Sequence, residues 1–439
     1  MMMYWYWAAT LMIGGVVGLM ALGVPVAFAF LATNAVGVTV FMGGAVGLSQ
    51  LVANATTSVT TFTLVPVPLF LIMGELFFHT GLALRIFDAL DKCVGRLPGR
   101  LSYLTVGGGT LFATLSGSSI ANTAMLGSLM VPEMMRRGYK PHMAIGPILG
   151  IGGLAMIIPP STLAVLLGSI AHIDVGGLLI AGIIPGLILA AMYTGLIAVQ
   201  IRRDPDAAPR YAVEPASRRE KFMALLVNIL PMGLVVFCVV GLIILGLATP
   251  TEASAFGVVS VILLAALYRC LSWGAVQKSL VGAVRVTGMV FLIIIGSSTF
   301  GQILAFSGAT SGLISWSLGL NLSPGLALAL MLAVLLFFGM FMDQVSMMLI
   351  TLPVFMPLAQ SYGFDPVWFG IVVLLGLEVS LVTPPFGLLL FVMMGVSPEG
   401  TTLGQVAKAA LPYIGAVFVL LALLALFPDI ALILPRLMG

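Results

Sequence analysis

Long apolar blocks separated by short polar links dominate the hydrophobic pattern of this chain. A membrane-spanning helix needs about 20 apolar residues. On that measure the first half predicts spans near 8–24, 25–42 and 63–80. A charged stretch from Arg85 to Arg100 follows, and then an apolar segment broken at Ser116-Gly117-Ser118-Ser119. That segment ends at Pro132-Glu133, before Arg136, Arg137 and Lys140. The next apolar run starts at His142, is interrupted by Pro159-Pro160, continues to about 171, and is followed by a helix over 177–200. Segment 202–221 is the one strongly polar stretch, carrying Arg202, Arg203, Arg210, Arg218, Arg219 and Lys221. It reads as a cytoplasmic connection between halves, with room for an amphipathic helix.

The second half repeats the plan of the first. Pro132 answers Pro357, Gly138 answers Gly363, Pro141 answers Pro366, and Pro159-Pro160 answer Pro384-Pro385, every pair 225 positions apart. The words read GYKP then IPPS in the first copy, and GFDP then TPPF in the second. Pro98-Gly99 answers Pro324-Gly325 at a shift of 226, so one insertion intervenes. Five Gly/Pro positions at one offset mark a duplication. The halves are then 1–201 and 222–439, joined by 202–221. Each holds a hairpin (about 101–132 and about 325–357) and a broken helix (at 159–160 and at 384–385).

Composition makes the bilayer the main solvent. The 439 residues are 61% hydrophobic and 8% charged, with a mean hydropathy of +1.20; a soluble chain carries roughly a quarter charged residues. The net charge of +3 does not suggest nucleic acid, because the basic residues sit in short clusters between apolar blocks, as topology determinants do. Before the first span, Tyr4, Trp5, Tyr6 and Trp7 form an interfacial aromatic anchor rather than a basic signal region. Cys93, Cys238 and Cys270 show neither metal spacing nor a disulfide pattern. His79, His142 and His172 are equally dispersed.

Charge placement predicts orientation. Lys92, Arg96 and Arg100 precede the first hairpin, and Arg136, Arg137 and Lys140 follow it, so both its ends are expected in the cytoplasm. The segment around Gly339–Asp343 is flanked by Asn321–Pro324 and Gln360–Pro366 without Lys or Arg. Its ends are expected in the periplasm. The fold expected is all-α and polytopic, with two inverted repeats, each containing a re-entrant hairpin and a broken helix, a recurrent transporter design.

Irregular backbone within a bilayer is tolerated only where protein or a water-filled cavity surrounds it. Four breaks qualify: Ser116–Ser119, Ile158–Ser161, Gly339–Asp343 and Thr383–Gly387. Free carbonyls at the half-helix ends suit a hard monovalent cation, and N-terminal N–H groups suit an anion. Ser118, Ser119, Asn122 and Thr123 add hydroxyl and amide groups at one helix start. The bland alternatives are a small-residue packing patch at Ser116–Ser119 and simple proline kinks. The repeat at fixed offset favours sites over both.

Ionisable residues inside apolar segments are Glu75, Glu252, Arg285, Asp343 and Glu378. Each costs about 2.5–3.5 kcal/mol at the bilayer centre unless compensated. Asp343, in the second hairpin, is the candidate for ion or substrate coupling, with helix capping or a salt bridge as its alternative. Glu378 reads as structural. Glu75 and Arg285 read as snorkelling or paired residues. Glu252 reads as a cap on the following helix.

The run FATLSGSSIANTAMLGSLMVPEMMRRG from Phe112 to Gly138 closely resembles the large membrane subunit of TRAP (tripartite ATP-independent periplasmic) transporters. So do the IIPPS of 157–161, GLATPTEA of 246–253 and LVTPPFG of 381–387. The resemblance spans nearly the whole chain, and the length agrees with the form not fused to the small subunit. It implies a bacterial inner-membrane, elevator-type carrier coupled to sodium ions. It also implies a small four-helix membrane partner and a periplasmic binding protein that delivers a small organic anion. By the same resemblance one sodium site uses Ala113, Ser116, Ala155, Ile158 and Pro160, mostly through backbone oxygens. The other uses Gly339, Ser380, Thr383 and Phe386. The 225-residue offset pairs Ala155 with Ser380 and Ile158 with Thr383. The family commonly has Gly at both positions of the former pair, so local backbone geometry there is an open point. Three other readings are a binding-protein-independent carrier, an intramembrane serine hydrolase and a passive channel. The hydrolase reading lacks a histidine near Ser116–Ser119.

Overall fold

The computed structural model describes residues 5–95, 97–209 and 217–438. Tyr4, Arg96 and Arg210, named above, lie outside the described residues. In chain order the first helices are α1 (Trp5–Ala21), α2 (Val26–Phe41), α3 (Ala45–Val59), α4 (Pro66–His79) and α5 (Leu82–Cys93). A hairpin of α6 (Arg100–Ser116) and α7 (Ser119–Arg136) follows. Next come α8 (Pro141–Ile157), α9 (Thr162–Ala171) and α10 (Val175–Arg203).

The second half opens with α11 (Arg218–Ile244), α12 (Pro250–Leu267), the 34-residue α13 (Trp273–Phe306) and α14 (Ala309–Gly319). The second hairpin is α15 (Pro324–Gly339) with α16 (Gln344–Ser361). It is followed by α17 (Pro366–Val382), α18 (Leu388–Val396), α19 (Leu403–Leu426) and α20 (Asp429–Met438). Among the described residues, seven helices are long and apolar enough to cross a membrane, or eight if α8 and α9, bent by 42°, form one span.

The repeated glycines and prolines have a local explanation. Gly138 and Gly363 take left-handed backbone at φ +84° and +76° just beyond α7 and α16, where a side chain is strained. Pro141 and Pro366 then open α8 and α17 at the first helical turn, where a missing N–H costs nothing. Pro159-Pro160 and Pro384-Pro385 stand between the halves of the broken helices, both as cis peptides. Pro132 and Pro357 lie inside α7 and α16. The pair at a shift of 226 is less symmetric: Gly99 caps α6 in left-handed backbone, whereas Pro324 and Gly325 are already helical.

Helix α3 is absent from the spans expected by hydropathy. Ser49, Gln50, Asn54 and Thr56–Ser58 interrupt its apolar run. Those polar groups are used internally: Asn54 Nδ2 donates to Gln302 Oε1 on α13, and Gln50 Nε2 donates to Asn54 Oδ1. The Asn54–Gln302 bond between helices holds them together where lipid supplies no hydrophobic drive. Long α13 packs across α2, α3 and α4.

The core belongs to the broken helices. Every residue of α8 from Met143 to Ile157 is buried, as is every residue of α17 from Trp368 to Val382. Helices apolar all round belong in the interior. The peripheral α11–α13 instead expose Phe222, Leu234, Phe237, Leu263 and Val284, as lipid-facing or partner-facing surfaces do. The packing is crossed: α9 leans on α16 of the second hairpin, and α18 leans on α7 of the first.

Candidate cation and substrate site

At the first hairpin tip, α6 ends with Gly117 in left-handed backbone at φ +59°, its N–H donating to Ala113 O at 3.1 Å. Ser118 then caps α7, its Oγ accepting from Ala121 N at 3.3 Å. This tight turn presses on the break between α8 and α9. A Cβ placed on Gly117 lies 3.1 Å from Thr162 Oγ1 and 3.6 Å from Pro160 O. Ile158 leaves the helix in extended backbone at φ −77° and ψ 121°, and past that point carbonyls have no intrahelical partner. Ser161 restarts the helix by accepting from Ala164 N at 3.1 Å. Gly117, next to Ser116 and bonded to Ala113 O, thus stands beside Pro160, two residues past Ile158, with Ala155 fully buried one turn back on α8. Sequence reasoning missed Thr162, whose buried Oγ1 has no hydrogen-bond partner. Its position directly after the Pro-Pro-Ser word was the available signal.

The second set meets in the same way around Gly339. A Cβ there lies 2.0 Å from Ser380 Oγ, so only glycine lets α15 approach α17. Ser380 O accepts from Thr383 N at 3.3 Å, and Thr383 O from Gly387 N at 3.2 Å. The hydroxyls of Ser380 and Thr383 turn back to Leu377 O and Val379 O, each at 2.6 Å. Both side chains thus serve their own helix, leaving carbonyls as the oxygens that can face an ion. Phe386 is half exposed, its ring 5.7 Å from that of Phe341 at the hairpin tip. The donors at both sets are neutral oxygens, which fit a hard monovalent cation. Among the described residues no group of three or more His, Cys, Asp or Glu is arranged to hold a metal.

Asp343 caps α16. Its carboxylate accepts from Val345 N at 3.0 Å, Ser346 N at 3.2 Å and Ser346 Oγ. It thus sits at a helix N-terminus, where a carboxylate is favoured, four residues after Gly339 in the chain. Ser119, Asn122 and Thr123 are buried rather than open to a cleft. Asn122 Nδ2 points at Ile151 O at 3.4 Å, while Asn122 Oδ1 and Thr123 Oγ1 have no partner. Ser118 is the half-buried member of the four.

The remaining ionisable residues sort themselves. Glu252 forms a capping box with Thr249, Glu75 pairs with His79 at 3.2 Å, and Arg285 is exposed on α13. Glu378 is 2% exposed and is approached by Ser119 Oγ at 3.4 Å. At the hairpin 1 exit, Lys140 hydrogen-bonds Asp204, and that ammonium holds the Asp204 carboxyl below its ordinary value.

Residues 13–430 match the family model of the tripartite ATP-independent periplasmic transporter, DctM component. The chain belongs to that family. It is a large permease of the inner membrane, a transport protein. Among its relatives is the C4-dicarboxylate TRAP transporter large permease protein DctM of Pseudomonas aeruginosa, 34% identical over 86% of this chain and 87% of that one. Another is the sialic acid TRAP transporter large permease protein SiaM of Vibrio cholerae, 30% identical over 96% and 97%. The permease also shares its fold with the YdaH transporter of Alcanivorax borkumensis, at a TM-score of 0.61 and 15% identity, covering 90% of this chain and 89% of that one.

Proposed function

We propose that this permease takes up a small organic acid anion by sodium symport, with the two hairpins and the two broken helices moving as one body against the remaining helices. The observation that carries the reading is the doubled meeting of a hairpin with a helix break, at Gly117 against Pro160 and at Gly339 against Ser380. Each meeting gathers carbonyl oxygens at helix ends and breaks, which suits a dehydrated monovalent cation. The names of the two relatives, one for C4-dicarboxylates and one for sialic acid, support an organic acid as cargo. Neither hairpin core contributes Lys or Arg, so the anion is held by helix N-terminal N–H groups, hydroxyls and the neighbouring sodium ions.

Membership in a tripartite family supports two partners, a small four-helix membrane subunit and a periplasmic protein that delivers the substrate. The exposed apolar flank of α11–α13 offers the small subunit a surface. Two sodium ions with a monoanion carry one net positive charge inward, which gains about 2.3 kcal/mol per 100 mV. Binding side chains stay put during transport in this scheme; the body that contains them changes sides. The test is uptake of radiolabelled C4-dicarboxylate or sialic acid into proteoliposomes holding the permease with both partners. Accumulation is expected with an inward sodium gradient and lost without it. Equal uptake under both conditions, or uptake without the binding protein, contradicts the corresponding half of the proposal.

A further inference from the structure

Glu378 lies where the two copies touch. It stands 225 positions after Gly153, so the two occupy equivalent places on α17 and α8. They are also in contact: a Cβ on Gly153 meets Glu378 Cγ and Oε1, each at 2.5 Å. Equivalent residues of two related halves can meet only beside the axis that relates them. There one copy supplies the long side chain and the other supplies the space for it. The neighbouring Gly152 makes the matching seat for the first hairpin, since a Cβ there lies 2.6 Å from Thr123 Oγ1 and 3.7 Å from Ser119 O.

Three segments therefore converge on one carboxyl. Ser119 Oγ, at the start of α7, is 3.4 Å from Glu378 Oε2. The other oxygen, Oε1, is buried without a hydrogen-bond partner. Tyr193 of α10 and Tyr413 of α19 face the same small cavity with Glu378 and Gly150, and no Lys, Arg or His lines it. A polar group so poorly partnered in the interior is costly. Leucine at this position would fill the seat without that cost, so the oxygen facing Ser119 has a use.

Its neighbours indicate the use. Ala155 and Ile158 follow Gly153 on α8, Ser380 and Thr383 follow Glu378 on α17, and Ser116 lies just before Ser119 across the hairpin tip. We propose that Glu378 is a positioning residue that ties the first hairpin to the second broken helix, so that filling one ion site orders the other. The tie acts through the side chain's length and its acceptor oxygen, both of which glutamine also supplies. This inference rests on the sodium reading above and adds the source of cooperation between the two sites.

The test is direct binding of radiolabelled sodium to the purified permease with its small subunit, without substrate, for wild type, Glu378→Gln, Glu378→Ala and Ser119→Ala. Size-exclusion profiles and melting temperatures confirm folding of each variant. Wild type is expected to bind sodium with a Hill coefficient above about 1, Glu378→Ala to fall to about 1 with apparent affinity weakened about tenfold, and Ser119→Ala to shift in the same direction by less. Glu378→Gln is expected to keep the wild-type cooperativity. A wild-type coefficient in folded Glu378→Ala overturns the tie while leaving sodium coupling intact. If Glu378→Gln behaves like Glu378→Ala, charge rather than position is at work, and the tie is again overturned. If Glu378→Ala does not fold, Ser119→Ala decides, because it removes only one hydroxyl from the contact. A wild-type protein that binds no sodium removes the symport reading itself and this inference with it.

Discussion

The two hairpin tips meet their helix breaks in different ways. The first is the tighter: Gly117 and Ser118 alone separate α6 from α7, a hydroxyl caps the second helix, and the turn presses on buried Pro160 and Thr162. The second spends Met340 to Asp343 on the same task, caps α16 with a carboxylate, and exposes Phe341 and Phe386 beside it. In the first copy closeness comes from a left-handed glycine in the turn. In the second it comes from a helical glycine, Gly339, which lets Ser380 in. A duplicated plan has thus kept its backbone breaks while exchanging which residue makes room. The difference makes the second tip the more open of the two and gives it the only carboxylate among the expected ligands and coupling groups.

Substitutions that fill or empty those spaces separate the two tips. The largest effect is expected from Gly339→Ala, whose added Cβ must displace Ser380 from contact at about 2 Å. Overpacking of this kind costs about 1–3 kcal/mol, read as a lower melting temperature together with apparent sodium affinity in uptake weakened about 5- to 150-fold if the ion-bound form bears that cost. Ser380→Gly alone is expected to be mild, because it keeps the carbonyl, and to restore much of the loss when combined with Gly339→Ala. Absence of that restoration would show that the two residues are not coupled.

Next in size is Asp343→Asn. Asparagine caps a helix about as well as aspartate, so the melting temperature should hold while sodium-dependent uptake drops. Unchanged sodium dependence reduces Asp343 to the cap that its hydrogen bonds describe. Gly117→Ala is expected to cost roughly 1–2 kcal/mol through its left-handed backbone, with a smaller loss of sodium affinity than Gly339→Ala because Thr162 Oγ1 can give way. Ser118→Ala should be smallest, at about 1 kcal/mol of lost capping, visible in the melting temperature and scarcely in uptake.

Much of this architecture was legible in the sequence, for reasons the structure makes physical. Gly138, Gly363, Pro141 and Pro366 are fixed by backbone geometry at helix boundaries, so duplication preserved them at one offset. The four breaks were legible because glycine, serine and proline interrupt apolar runs where a helix cannot continue. Helix α3 was not legible, since its Asn54 and Gln50 look like loop residues until Gln302 is placed opposite them. The contact of Glu378 with Gly153 was not legible for a related reason. Burial against Gly153 is a property of two segments far apart in sequence, and only the offset that pairs them hinted at it. The burial of Asn122 and Thr123 by packing of α7 on α8 was likewise not legible.

The comparison of the two tips assumes that they approach from opposite sides of the membrane. Labelling of single cysteines in a background lacking Cys93, Cys238 and Cys270 tests this directly, with one probe at Arg137 after the first hairpin and one at Gln360 after the second. In intact cells with a permeable outer membrane, a membrane-impermeant maleimide is expected to label Gln360→Cys and to reach Arg137→Cys only after the inner membrane is opened. Labelling of both positions from the same side would contradict the inverted arrangement on which the two proposed ion sites are paired.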